Sequence, residues 1–179
     1  MVCNRCIVSV SQALERLKLH PIKVSLGEVE LDKPPTDKQS DELNYDLKQL
    51  GFELLDTKNQ KQIEKIKILL IKKVQTSEVE EHFSISDFIS KSLNKDYSSL
   101  SRLFSEVEGI TIERFFILQK IEKVKELLVY DELNLSETSF KLGYSSVAHL
   151  SAQFKKVTGL TPSIFKKLGG VHRKPLDKI

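Results

Sequence analysis

Two cysteines, Cys3 and Cys6, stand near the start of this 179-residue chain with two residues between them, and they are its only thiols. Thiolates at that spacing hold a soft ion such as Cu(I) or Zn(II), or exchange with a disulfide, because sulfur is a soft ligand and a following helix N-terminus favours the thiolate. Two ligands do not close a tetrahedral zinc site, so linear Cu(I), or a site shared across a homodimer, fits better than Zn(II) within one chain. A single pair cannot staple a small secreted fold, which points to a reducing compartment. Metal binding, thiol redox and a pair without any ligand stay open as readings. The four histidines are scattered. With no catalytic triad, phosphate-binding glycine loop or Glu-rich metal cluster, an enzyme is not expected.

A second chemistry lies at the other end of the chain. The net charge of +3 is unevenly spread: residues 1–57 hold 7 basic and 10 acidic groups, 58–81 hold 6 and 4, 82–140 hold 7 and 10, and 141–179 hold 8 and 1. Attraction to phosphates therefore belongs to the last segment, including Arg173 and Lys174 in its tail. Forty per cent apolar and 30% charged residues suit a soluble globular protein. The longest aliphatic run, Ile68 to Ile71, is far short of the roughly 20 apolar residues of a membrane span. Cys3, Asn4 and Arg5 interrupt any signal-peptide pattern. The expectation is a cytoplasmic protein without a membrane partner.

The elements that must position these groups follow from periodicity. A helix-like stretch from Ile7 to Leu19 precedes alternation through Ile22, Val24 and Leu26, then Val29 and Leu31, with a hairpin at Ser25-Leu26-Gly27-Glu28. Asp41 to Leu50 carries Leu43, Leu47 and Leu50 at helical spacing, stopped by Gly51, and Phe52, Leu54 and Leu55 read as a short strand. Residues 59–75 form a further helix, and the polar, acidic stretch Thr76 to Glu81 marks a boundary. The expected division is 1–57, a connecting helix and linker over 58–81, and 82–179.

Beyond Phe83 the chain repeats itself at an offset of 50: Ser86, Lys91, Leu100, Ser101, Phe104, Val107, Gly109, Thr111 and Phe115 match Ser136, Lys141, Leu150, Ser151, Phe154, Val157, Gly159, Thr161 and Phe165. Each copy has the same punctuation. Ser84 with Asp87, and Asn134 with Glu137, open a short helix as N-cap and acidic N3 residue. Breaks follow at Asn94 to Asp96 and at Gly143 to Ser145. A second helix then carries Leu100, Leu103, Phe104 and Val107, or Leu150, Phe154 and Val157, on its core face. Gly109 and Gly159 end it, and Thr111 and Thr161 cap the next helix, with Pro162 in its first turn. Short helix, tight turn, helix is the helix-turn-helix unit, here twice. The first copy runs into a long helix, about Ile112 to Val129, with Ile112, Phe115, Phe116, Ile121, Val124, Leu127 and Leu128 buried. Its length of roughly 27 Å suits two recognition helices about one DNA turn apart.

These residues resemble the AraC/XylS family of bacterial transcription regulators. The resemblance covers residues 82–168 and is carried by Phe140-Lys141-Leu142-Gly143-Tyr144, by Leu150-Ser151-Ala152-Gln153-Phe154-Lys155-Lys156, and by Gly159-Leu160-Thr161-Pro162-Ser163-Ile164-Phe165. It implies an all-α domain that binds double-stranded DNA and recruits or positions RNA polymerase, usually as an activator.

Recognition helices present their outward N-terminal positions to base edges. The first copy offers Tyr97, Ser98, Ser101 and Arg102, with Arg102 suited to bidentate contact with guanine. The second offers Ser146, Val147, Ala148, His149, Ser151 and Ala152, with Val147 and Ala148 suited to thymine methyl groups. Lys155 and Lys156 read as backbone contacts or solubilising charge. A solvated surface charge for Arg102, and a surface filler for His149, stand as alternatives.

The N-terminal part, Met1-Val2-Cys3-Asn4-Arg5-Cys6 followed at once by a helix, resembles the metal-binding loop of heavy-metal-associated domains. Helix, strand, strand, helix, strand matches the ferredoxin-like βαββαβ course without its first strand, which implies a start upstream of Met1 or a distorted variant. The expected architecture is thus an incomplete ferredoxin-like α+β domain followed by a double helix-turn-helix domain. The expected function is a sequence-specific DNA-binding regulator responsive to a soft metal or to thiol redox. The alternative is a metal-handling protein in which DNA binding is secondary.

Overall fold

The computed structural model describes residues 4–54, 58–130 and 133–168. The chain divides into two compact units, Met1–Ile68 and Leu69–Ile179.

In the first unit, α1 (Asn4–Arg16) buries Val10, Ala13 and Leu14. Just past its end, Lys18 takes a positive φ of 54° that lets the Leu19 N–H reach the Leu14 carbonyl at 2.9 Å. Strands β1 (Pro21–Ser25) and β2 (Glu28–Leu31) pair antiparallel, Ser25 opposite Glu28, across a two-residue connection. Gly27 takes φ +75° there, a conformation that costs a Cβ-bearing residue. Helix α2 (Asp37–Gln49) opens on a capping box between Thr36 and Gln39, a feature worth about 1 kcal/mol. Val10, Leu14, Leu19, Leu43 and Leu47 form the core, with Val24, Val29, Leu31 and Phe52 packed on it.

Two expectations for this unit need correction. The first helix begins at Asn4, so Cys6 lies within its first turn rather than in a loop before it; Cys3 falls outside the described residues. Nor is there a strand at 52–54, and Leu55 also falls outside the described residues. The physical reason is the end of α2. With Gly51 left-handed at φ +78°, the Phe52 N–H bonds to the Leu47 carbonyl at 2.8 Å and the Gly51 N–H to Lys48 at 3.0 Å. This pair of hydrogen bonds is a Schellman cap, in which the residue after glycine packs back on the helix. Phe52 is apolar because it closes a helix, not because it pairs in a sheet. Among the described residues the sheet has two strands, and the ferredoxin-like, heavy-metal-associated course finds no support in it.

Helix α3 (Lys58–Gln75) runs across the boundary between the units. The second unit is helical: α4 (Ile85–Leu93), α5 (Tyr97–Glu108), α6 (Ile112–Tyr130), α7 (Leu135–Lys141), α8 (Val147–Thr158) and α9 (Pro162–Lys167). The offset of 50 holds to the residue: α4 and α7, α5 and α8, α6 and α9 each start 50 apart. Ser84, Asn134 and Thr161 accept N-cap hydrogen bonds, as does Thr111 from the Arg114 N–H, and Gly109 and Gly159 end their helices at φ +69° and +78°. Edge-on aromatic contacts also recur, Phe104 on Phe115 at 5.7 Å and Phe154 on Phe165 at 5.5 Å.

α6 is about 28 Å long and packs against α5, α7, α8 and α9. All seven apolar residues expected in its buried stripe are buried, but so are Gln119, Lys120, Glu122, Lys123 and Lys125. Ion pairs offset part of that burial, Lys125 to Glu122 and Lys123 to Glu126. Val107, by contrast, is 55% exposed and leaves the core face assigned to it.

Candidate nucleic-acid interface

α5 starts from Asp96, whose carboxylate accepts from the Ser98 hydroxyl at 2.6 Å and the Ser99 N–H at 2.9 Å. The Ser98 bond, then that from the Ser99 backbone, hold the Asp96 carboxyl below the usual range. Asn94, left-handed at φ 50°, makes the preceding turn. Of the expected first reading set, Ser98 is exposed but tied to Asp96, and Ser101 is half-buried. Arg102 is exposed, with its Nε 3.4 Å from Glu106. Tyr97 is half-buried, and its phenol donates to the Glu113 carboxylate in the first turn of α6. Burial and then that hydrogen bond push the Tyr97 phenol well above its ordinary pKa. For Glu113, burial acts upward, but the bonds from Tyr97 and from backbone and Thr111 outweigh it and leave the carboxyl below the usual range.

α8 starts from Ser146, whose hydroxyl accepts from the His149 N–H at 3.1 Å. The remaining second reading set is open at this end: Ala148 and His149 are exposed, while Val147 and Ser151 are half-buried. His149 shares a hydrogen bond with the Ser145 hydroxyl at 3.1 Å, and its ring meets Tyr144 edge-on at 5.4 Å. Ala152, Lys155 and Lys156 are exposed, as are Lys166 and Lys167 on α9. Residues 141–168 hold five lysines and no carboxylate, whereas α5 holds Arg102 against Glu106 and Glu108. Arg173 and Lys174 lie outside the described residues.

The second turn is built from a distance. Val79 forms a parallel bridge with Leu142, its N–H donating to the Lys141 carbonyl at 3.0 Å. Gly143, at φ +66°, lies so close under this segment that a Cβ would stand 2.6 Å from the Glu80 carbonyl oxygen and 2.8 Å from that of Val79. Lys73 holds the segment by an ion pair to Glu80 at 2.9 Å and lies 5.2 Å over the Phe83 ring. From α6, Lys120 donates to the Leu142 carbonyl at 3.0 Å and sits 3.8 Å over the Tyr144 ring, whose phenol donates to Gln153 at 2.7 Å. Burial pushes the Lys120 ammonium down to about 8. The polar stretch 76–81, expected to mark a boundary, therefore lies inside the second unit and braces its second turn.

Sequence reasoning missed Lys120, Glu113, Val79 and the α9 lysines. A signal existed for Lys120, which lies four residues from both Phe116 and Val124 and so on the buried stripe. Among the described residues no group of three or more His, Cys, Asp or Glu is placed to hold a metal, and no helix is long and apolar enough to cross a membrane.

The comparisons with known proteins agree with the helical half. Residues 89–168 match the family model described as a helix-turn-helix domain. The Msm operon regulatory protein of Streptococcus mutans is 28% identical over 97 residues, covering 54% of this chain and 34% of that protein. The xylose operon regulatory protein of Escherichia coli K12 is 33% identical over 69 residues, 38% of this chain and 18% of that protein. The chain thus spans about a third or less of the length of these relatives. Among solved structures, the C-terminal domain of AraT, a response regulator from Geobacillus stearothermophilus, superposes with a TM-score of 0.53 at 21% identity, over 63% of this chain and 88% of that one. An AraC-type transcriptional regulator from Chromobacterium violaceum gives 0.51 at 16% identity, over 61% and 96%. Residues 89–168 of this chain therefore form a helix-turn-helix domain.

Proposed function

We propose that the second unit binds double-stranded DNA sequence-specifically, with α5 and α8 in successive major grooves, and that the chain is a cytoplasmic transcription regulator rather than an enzyme. The observation that carries this is the cap-helix-turn-helix unit repeated at 50 residues on either side of α6, with lysines and no carboxylate over 141–168. Helix N-termini and lysines position phosphates, and side chains at the outward N-terminal turn read bases. Ser98, Ser101 and Arg102 serve the first half-site; Ser146, Val147, Ala148, His149 and Ser151 serve the second, with Lys155 and Lys156 on phosphates. Activation through contact with RNA polymerase is the mode of action proposed.

The first unit is the input side. Cys3 and Cys6 are its proposed soft-metal or redox groups, with Cu(I) preferred over Zn(II) and a homodimer able to complete the ligand set. Sequencing DNA fragments retained by the purified chain, with and without Cu(I), tests both parts. Enrichment of a bipartite motif is expected. Retention without sequence preference would sink the DNA reading, and failure to take up Cu(I) in competition with a chromophoric chelator would remove the metal.

A further inference from the structure

We propose that Tyr97 and Glu113 are a positioning pair that fixes the first reading helix for its half-site, and that Tyr97 makes no base contact of its own. This rests on the DNA-binding reading above.

The two copies share caps, turns, terminating glycines and the edge-on aromatic contact between the second helix and the next. They do not share this bond. The positions 50 residues on are Val147 and Ser163, which cannot form it. In the first copy the phenol of Tyr97, the first residue of α5, is committed to a carboxylate on α6, so the end of the helix that would enter the groove is anchored to the central helix. Hydrogen bonds to a charged acceptor are the stronger kind.

α5 has need of such an anchor. Its one basic residue, Arg102, faces Glu106, and Glu106 and Glu108 repel phosphates. α8 carries Lys155 and Lys156 for phosphates, whereas α5 carries no lysine. A reader with little electrostatic grip gains affinity by losing less freedom on binding, and a preformed clasp at its first turn reduces that loss.

The test is a double-mutant cycle in the full chain with Tyr97→Phe and Glu113→Ala, on selected DNA fragments altered in one half-site at a time. Each single substitution should lower affinity about five-fold, the double no further than either single, and discrimination should fall across the whole first half-site while the second is unchanged. Glu113→Gln, which keeps an acceptor, should retain most of the affinity. Additive losses, a neutral Glu113→Ala, or relaxation at a single base pair with Tyr97→Phe would overturn the proposal, the last making Tyr97 a direct reader. Amide hydrogen exchange without DNA decides independently. Both substitutions should speed exchange at Leu100 and Ser101 but not at Leu150 and Ser151, and unchanged exchange overturns the pair. Wild-type chain showing no preference among fragments is failure of the DNA reading, while the exchange result still judges the clasp.

Discussion

The two helix-turn-helix copies obey one local grammar and are held in place by different means. In the first, α5 is tied at its start by Tyr97 to Glu113, and its surface charge is net acidic. In the second, no such tie exists. Its turn is instead pressed between the 79–80 segment and the buried ammonium of Lys120, and its surface is lysine-rich. The difference teaches that a sequence repeat conserves what each helix needs to begin and end, while the placement of the helix comes from contacts outside the repeat.

The largest expected effect tests the bracing of the second turn. Gly143→Ala should destabilise the second unit by about 3 kcal/mol or more, because a positive φ and two carbonyl oxygens inside contact distance leave no room for a Cβ. Gly159→Ala, with φ +78° and nothing within 4 Å, should cost only about 1 kcal/mol. Urea denaturation of both variants checks this; equal losses would erase the distinction between a braced turn and an ordinary helix end.

Next comes the charge asymmetry. Replacing Lys155, Lys156, Lys166 and Lys167 by glutamine should flatten the dependence of log affinity on log salt by up to about 3.6, at roughly 0.9 per lysine on a phosphate, whereas removing Arg102 should change it by about 1 at most. Filter-binding titrations at several salt concentrations separate the two. A steep residual slope in the lysine variant would move the phosphate grip elsewhere.

Arg102→Ala should cost about 1–3 kcal/mol in specific binding and relax one base position in the first half-site, as expected for bidentate contact with guanine. A gel-shift series on operator variants with unchanged preference would leave Arg102 as a partner of Glu106 alone.

The smallest expected effect concerns Lys120. Its folded-state pKa of about 8 lies below the usual 10.5, so between those values the unfolded chain binds more protons than the folded one. Stability should therefore rise as pH increases from about 8 to 10, by at most about 2 kcal/mol and by less where the Leu142 carbonyl and the Tyr144 ring compensate the charge. Lys120→Met should abolish that rise in thermal melts across the window. The first copy has no equivalent, since the residue 50 positions before Lys120 is Leu70, a buried aliphatic side chain on α3.

The parts legible in the sequence are those decided within a few residues. N-caps at Ser84, Asn134 and Thr161, and left-handed ends at Gly109 and Gly159, depend on three or four neighbours and were readable from spacing. The Tyr97 to Glu113 bond and the Val79 to Leu142 bridge join residues far apart in the chain, and no local pattern announces them. Phe52 was misread because alternating apolar residues after a glycine fit a strand and a Schellman cap equally well; the contact with Leu47 decides it. For the candidate site, the exposed positions of α8 were legible from helical phase. Tyr97 was not, because phase gives a direction outward from the helix and says nothing of an acceptor on the next one.

The Val79 to Leu142 bridge also bears on how the protein is made. It joins the start of the second unit to a turn in its second copy, enclosing the whole first copy between its ends. A ribosome releases α4, α5 and α6 while Val79 still has nothing to pair with, so the two copies do not mature one after the other as independent beads. The unit closes only when Gly143 emerges, and the Val79 amide should then gain its exchange protection together with Leu150 rather than with Leu100. The matched domain segment begins at residue 89, after this bridge, so a fragment cut there keeps α5 to α9 and Lys120 but loses the Val79 side of the brace on its second turn.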